Sequence, residues 1–416
     1  MAEGQMFAAI DVGTTKVCTL VGEVDEHQTL HVVGVGVTPS RGLRKGLVVN
    51  VDEAANSIAL SVEQAERLSG YKIDSAIVGV AGGHIGSLNS RGLVAITRGH
   101  RGITREDMER ALESARAVAV PTNREIIHVI PREYIIDGEA GITNPVGLLA
   151  SRLEVEAHIV TGAVSSIQTL VRCMHSLGIQ IDDLVLQPLA SSEAVLLPEE
   201  KEIGCMLVDI GGGTADIAMF VNGSVWHTTI LPVGGNHITN DIAICLRTPV
   251  STAEEIKIKY GCALAQAVSN DEMIDIAAFG DRGRQAISRH RLSQVIEARM
   301  EEIFALILRE VRRSGYDGLL PAGVILTGGT ASLAGICDLG REVLELPVRV
   351  GSPHGVAGLV DAISQPAYAT SVGLLLWGLR HNGGQARGRQ RSQQWTDILE
   401  RFVGWIRARW AWPGSA

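Results

Sequence analysis

Two stretches of the chain carry one pattern: an apolar run ending in Asp, a turn of Gly and Thr, and a second apolar run. The first is Met6-Phe7-Ala8-Ala9-Ile10-Asp11-Val12-Gly13-Thr14-Thr15, and the second is Cys205-Met206-Leu207-Val208-Asp209-Ile210-Gly211-Gly212-Gly213-Thr214. Short apolar runs bounded by glycine predict buried strands. Residues 17–21 and 217–221 stay apolar beyond each turn, so each repeat predicts a hairpin, not the strand-turn-helix of a dinucleotide-binding unit. A repeat about half a chain apart predicts two similar lobes, each offering one hairpin to a shared cleft.

Between the repeats, residues 78–81 predict a strand, 104–117 a helix capped by Thr104 with Asp107 three residues on, and 126–136 a strand. Residues 166–177 predict a helix ending at Gly178, 184–186 a strand and 189–196 a helix. Farther on, 287–312 predict a long helix and 322–327 a strand, closed by the turn Gly328-Gly329-Thr330. The folded part is expected to end near Arg380, because the next stretch, rich in Gly and Arg, has almost nothing apolar to bury. Beyond it, Trp395, Ile398, Leu399, Phe402, Ile406 and Trp410 recur at helical spacing, opposite Asp397, Glu400, Arg401, Arg407 and Ala408.

Composition narrows the class. With 416 residues, 46% hydrophobic and 20% charged, the chain is too apolar for disorder and too long for one core. Only 4% of residues are aromatic and 47 are Gly, so the core must be built from Val, Ile, Leu and Ala between tight turns, an α/β composition. The six cysteines lack paired spacing, which fits reduced thiols and no metal or disulfide framework. The N-terminal run is broken by Asp11 and Lys16, so neither a secretory signal nor a spanning segment is expected there. A net charge of −9 argues against nucleic acid, whose phosphates need clustered Lys and Arg. Charge is uneven: from position 380 onward seven Arg face Asp397 and Glu400, a local +5.

The Gly-Thr turns suit phosphate. Closely spaced glycines let backbone N–H groups approach phosphate oxygens, as Gly13, Gly211, Gly212 and Gly213 allow. Thr14, Thr15 and Thr214 add hydroxyl donors and Lys16 a cation. Asp11 and Asp209, at the ends of facing strands, suit a Mg²⁺ ion held through water, with Asp216 a weaker candidate. A third turn, Gly328-Gly329-Thr330-Ala331-Ser332, lets backbone pass against the flat face of adenine and ribose. For hydrolysis, Gln187 at a strand-to-helix join is the candidate for orienting water, and Glu193 a weaker one. Gln187 equally suits capping the helix that follows. No base for a small-molecule acceptor accompanies these loops, which disfavours a sugar or acetate kinase.

In this order, the three turns resemble the phosphate and adenosine loops of the superfamily of actin, sugar kinases and chaperone ATPases. Four further stretches, at 126–134, 141–147, 189–192 and 253–263, include His128-Val129-Ile130-Pro131-Arg132-Glu133-Tyr134, Leu189-Ala190-Ser191-Ser192 and Ala253-Glu254-Glu255-Ile256-Lys257. With them, nearly the whole chain resembles the FtsA family of bacterial cell-division proteins. That resemblance implies an actin-like two-lobed ATPase fold of duplicated ribonuclease-H-like domains, with an FtsA-type subdomain inserted in the first lobe. The implied first-lobe core is 5–82, continued by 161–200 and 358–380, and the insert is 83–160. The second-lobe core is 201–232 with 305–357, and its small subdomain is 233–304. A flexible basic linker at 381–394 and a membrane-targeting helix at 395–412 follow.

The resemblance also implies ATP and Mg²⁺ as cofactors, at most slow hydrolysis, and actin-like filaments of the chain itself. Gly235 joins the cofactor-binding residues, and Glu254 and Lys257 reach ribose and adenine, although on a helix surface both could simply be solvated. The implied work is to anchor the FtsZ ring to the cytoplasmic face of the cell membrane at the septum and to recruit later division proteins. Arg291 and Arg299 match basic positions for the FtsZ C-terminal tail, a role suited to an acidic peptide, though arginines of a charge-rich helix also simply face water. A pilus-assembly relative with the same fold is the alternative.

The tail supports the membrane reading on physical grounds. Eighteen helical residues would reach about 27 Å, near the apolar thickness of a bilayer. Asp397, Arg401, Arg407 and Arg409 would each cost roughly 2.5–3.5 kcal/mol at its centre. The helix is therefore expected to lie flat on anionic lipid through Trp395, Ile398, Leu399, Phe402, Trp405, Ile406 and Trp410. Docking on the protein's own core is the alternative for such a stripe.

Overall fold

A computed structural model describes residues 5–96, 102–277, 283–316 and 318–382. The first lobe opens with strands β1 (Gln5–Val12), β2 (Lys16–Val24) and β3 (Leu30–Pro39), the short β4 (Leu43–Arg44) and β5 (Leu47–Val48), helix α1 (Val51–Ser69) and β6 (Ser75–Val80). An insert follows: β7 (Gly86–Ala95), α2 (Arg105–Arg116), β8 (Arg124–Ile136), β9 (Glu139–Ile142) and β10 (Arg152–Ala163). The chain returns through α3 (Val164–Ser176), β11 (Gln180–Leu186), α4 (Gln187–Val195) and α5 (Pro198–Ile203).

The second lobe holds β12 (Cys205–Ile210), β13 (Ala215–Val221), β14 (Ser224–Leu231), α6 (Gly235–Leu246), α7 (Val250–Tyr260), β15 (Met273–Ala277), β16 (Arg284–Ser288) and α8 (Arg289–Ser314). Then come β17 (Val324–Thr327), α9 (Ile336–Leu344) and β18 (Val348–Val350). Strand β19 (Ala357–Gly358) and helix α10 (Ala369–Asn382) rejoin the first lobe.

The two main sheets are copies. One runs β11-β6-β1-β2-β3-β19, and the other, read from its far edge, β18-β17-β12-β13-β14. In each, the strand ending in Asp pairs antiparallel with the next and parallel with a third, so β1, β2 and β6 correspond to β12, β13 and β17. Both hairpins expected from the repeat are present. Their turns close alike, with Gly13 N donating to Lys16 O at 3.0 Å and Gly211 N to Thr214 O at 2.9 Å.

Helices α4 and α10 lie between the sheets. Leu189, Ala190, Leu374 and Leu375 share one buried core with Leu20 and Val185 of the first sheet and Leu207 and Phe220 of the second. Gly373 lets the helices touch: a Cβ there would lie 1.8 Å from Ala190 O. The insert has its own sheet, β7-β10-β8-β9, and its own core around Tyr134, Leu153 and Val155.

The expected capping box of α2 is formed, with Thr104 accepting from Asp107 N and Asp107 accepting from Thr104 N. Helix α4 starts two residues before the expected 189, since Pro188 fits its first turn. Helix α8 is continuous across the subdomain boundary expected at 304, and Phe304 is buried in the second-lobe core. His381, expected in the linker, belongs to α10 and stacks on Trp377 with centroids 4.0 Å apart. The rest of the expected linker and the helix at 395–412 lie outside the described residues.

Candidate functional site

The two hairpin turns and the Gly328-Gly329 turn meet around a cleft of ≈ 360 Å³, within the range of small-molecule pockets. Asp11, Gly13, Thr14, Thr15, Lys16, Gln187, Asp209, Gly211, Gly212, Thr214 and Asp216 line it from the hairpins and α4, and Gly235, Glu254, Lys257, Gly328, Gly329 and Ser332 from the second lobe. Gly213 is set just behind, where a Cβ would come 2.8 Å from Thr14 Oγ1. At Gly212 a Cβ would lie 2.0 Å from Thr15 Oγ1. The first turn's threonines thus occupy the space that the second turn's glycines leave.

Hydroxyls on the two central helices hold the strand-end aspartates. Asp11 accepts from Gln187 Nε2 and from Ser371 Oγ, both at 3.0 Å. Asp209 accepts from Ser191 Oγ at 2.7 Å and Thr370 Oγ1 at 3.0 Å. Burial pushes the Asp11 carboxyl up to about 6, against the pull of Lys16 and the Ser371 hydrogen bond. Burial also raises Asp209, opposed by its two hydroxyl donors. Asp216 is raised well above the carboxylate range by burial and then by Asp209, and its Oδ1 has no hydrogen-bond partner among the described residues.

Lys16 sits over the Tyr368 ring, Nζ 3.3 Å from the centroid, and burial lowers its pKa. Three desolvated carboxyls with one lysine nearby form a place where a cation is favourable. Among the described residues, no group of three or more His, Cys, Asp or Glu could hold a metal. Asp11 and Asp209, at the cleft, supply oxygen donors of the kind a hard cation takes.

On the second-lobe wall, Lys257 is buried, not solvated. Its Nζ donates to Thr239 Oγ1 at 2.9 Å, Glu254 Oε2 at 2.7 Å and Gly235 O at 3.3 Å. The N-terminus of α6 closes on the second hairpin's turn, with Gly235 N donating to Gly211 O at 2.9 Å.

The remaining candidates divide. Gln187 does not cap α4, whose N-cap is Leu186 with no side-chain bond; its amide serves Asp11. Glu193, the weaker water-orienting candidate, instead pairs with Lys201 at 2.9 Å and with Arg380, away from the cleft lining. Arg291 and Arg299 share a groove between α6 and α8. Arg291 is exposed, whereas Arg299 is already paired with Asp241 and Glu302, so its charge is largely spent. Sequence reasoning missed Ser191, Thr370, Ser371, Thr239 and Tyr368; only Ser191 lay in a stretch that had drawn notice.

A family model described as "Cell division protein FtsA" matches residues 206–373, and one described as "SHS2 domain inserted in FTSA" matches 82–161. The cell division protein FtsA of Pseudomonas aeruginosa is 44% identical over 409 residues, covering 97% of this chain and 98% of the relative. That of Escherichia coli is 36% identical over 412 residues, with coverage of 97% and 98%. Among solved structures, a PilM-PilN type IV pilus biogenesis complex aligns at TM-score 0.66 and 16% identity, covering 90% of this chain and 98% of the other. MreB5 of Spiroplasma citri bound to ADP aligns at TM-score 0.55 and 14% identity, covering 92% and 99%. These two neighbours share the actin-like fold. Among the described residues, no helix is long and apolar enough to cross a membrane.

Proposed function

The chain belongs to the FtsA family of cell division proteins, and from that premise we propose that it binds ATP with Mg²⁺ in the cleft, polymerises in an actin-like manner and anchors FtsZ to the membrane. The observation that carries the nucleotide reading is the pair of matched hairpins, each bringing a buried Asp and a glycine turn to one cleft. In this reading the N–H groups of both turns, the Thr14 and Thr15 hydroxyls and Lys16 bind phosphate oxygens. Bound Mg²⁺, held through water by Asp11 and Asp209, would neutralise phosphate charge.

Gln187 Nε2 is committed to Asp11, which leaves the amide oxygen to orient a water molecule. Hydrolysis is at most slow, and Gln187→Ala would abolish it while leaving binding intact. Gly328, Gly329 and Ser332 would lie against adenine and ribose, and Glu254 and Lys257 would reach the ribose and adenine. The pilus-assembly alternative rests on fold likeness alone at 16% identity.

Anchoring would be the work of the tail, lying on anionic lipid at the cytoplasmic face of the septal membrane. FtsZ's C-terminal tail would dock in the α6–α8 groove, with Arg291 the available cation and Arg299 released only if Asp241 yields. Later division proteins would then be recruited to the same assembly. The test is sedimentation with anionic vesicles plus MgATP, comparing the full chain, a chain ending at Arg380, and a variant with Trp405→Glu and Trp410→Glu. Pelleting of the full chain alone supports tethering; equal pelleting of all three sinks it.

A further inference from the structure

The insert touches both lobes with one strand, and no role given so far uses that contact. Strand β8 contains the stretch 126–134. Alternate residues of a strand share a face, which places His128 and Ile130 together. The pairing of β8 with β10 then jumps from Pro131↔Ala157 to Glu133↔Glu156, leaving Arg132 as the extra residue of a bulge. A bulge re-aims its side chain.

His128 is buried and accepts a hydrogen bond at 3.0 Å from the backbone N–H of Leu186, the residue before Gln187. Its ring lies edge-on to Trp377 of α10, centroids 5.6 Å apart. Ile130 packs on the core between the lobes, where Ile230 of β14 also lies. Arg132, only 8% exposed, sets its guanidinium 4.1 Å over the Trp226 ring of β14 and 5.7 Å from the Tyr316 ring. Beside it, Ser87 Oγ donates to Thr228 O at 2.8 Å, and the His158 ring bonds Thr228 Oγ1 at 2.9 Å.

The chain enters and leaves the insert only through the first lobe, from β6 and into α3, so its grip on the second lobe is wholly non-covalent. The N–H that His128 receives belongs to the joint where β11 becomes α4, a joint with no side-chain cap of its own. A buried N–H needs a partner, and here another subdomain supplies it.

We propose that the insert is a clasp across both lobes, in which His128 is a positioning residue that fixes the joint carrying Gln187 and Arg132 holds the second lobe. This rests on the reading of Gln187 as the water-orienting group. Catalytic groups displaced by about an ångström lose on the order of 100-fold in rate, so a loosened joint acts on turnover more than on binding.

The test uses the full chain. His128→Phe keeps ring volume and the Trp377 contact but has no acceptor; His128→Gln returns an oxygen near the lost nitrogen. Amide exchange over 186–187 is expected to rise about tenfold or more in His128→Phe, with single-turnover ATP hydrolysis about tenfold slower and MgATP affinity within about threefold. His128→Gln is expected to restore most of both, and Arg132→Ala to raise exchange on β14 instead. Unchanged exchange at 186–187 in His128→Phe, or no restoration by Gln, overturns the proposal. If Gln187→Ala hydrolyses ATP normally, the Gln187 reading fails and exchange alone decides the clasp. Should His128→Phe not fold, His128→Asn, whose amide stops short of Leu186, takes its place.

Discussion

The two hairpins share a backbone and differ in what they hang on it. Position for position, Asp11, Gly13, Thr14, Thr15, Lys16 and Cys18 of the first correspond to Asp209, Gly211, Gly212, Gly213, Thr214 and Asp216 of the second. The first turn offers side chains: two hydroxyls and a cation. The second offers bare backbone at Gly211, Gly212 and Gly213 and a single hydroxyl, Thr214, and behind them a second carboxyl where the first has a thiol. The difference is complementary, since Thr14 and Thr15 occupy the volume that Gly213 and Gly212 vacate. A duplicated element facing its own copy cannot remain identical where the copies touch.

Making the second turn like the first should do most damage. Gly212→Thr drives a side chain into Thr15, and MgATP affinity is expected to fall on the order of 1000-fold. The double change Thr15→Gly with Gly212→Thr should recover part of it, as titration calorimetry would read. No recovery would mean that the asymmetry is not about volume.

Equalising the inner positions is the next comparison. Cys18 is fully buried beside Asp11, so Cys18→Asp adds another desolvated carboxyl and should cost about 3 kcal/mol of stability in urea. Asp216→Cys, the reverse exchange, should stabilise the empty chain.

Asp11→Asn separates the charge from the scaffold. Burial raises the Asp11 pKa from 3.8 to about 6, so the folded state binds its proton more tightly than the unfolded state. The stability this confers is full below about pH 4 and is lost as pH rises through about 6. Asn should therefore match Asp near pH 4 and gain up to about 3 kcal/mol over it at pH 7.5 in the empty protein. A gain that shrinks as pH rises would reverse the sign and discredit the burial argument. The smallest effect is expected from Tyr368→Leu, which removes the ring under Lys16 and should change MgATP affinity about threefold.

Much of this was legible because it is local. The strand-Asp-Gly repeat declares itself within ten residues, and Thr104 with Asp107 announces a helix start within four. The hydroxyl clamp was not legible. Ser191 and Thr370 meet on Asp209 from 179 residues apart; Ser191 lay in a noticed stretch, but nothing local to either residue ties its hydroxyl to Asp209. Arg299 is the same lesson in reverse: at eight residues from Arg291 it reads as a basic pair, yet Asp241, 58 residues earlier, has already claimed it. Glu193, six residues along α4 from Gln187, is drawn away from the cleft by its ion pairs with Lys201 and Arg380.

Helix α10 begins with Thr370 and Ser371 on the two strand-end aspartates and ends at Asn382; 34 residues follow it in the sequence. Fourteen residues make a rod of about 21 Å, pinned midway by the Trp377 indole donating to Asp183 at 3.0 Å. A pull applied at Asn382 would therefore be delivered along a stiff axis to the hydroxyls that hold Asp11 and Asp209, which puts the cleft in the load path of α10.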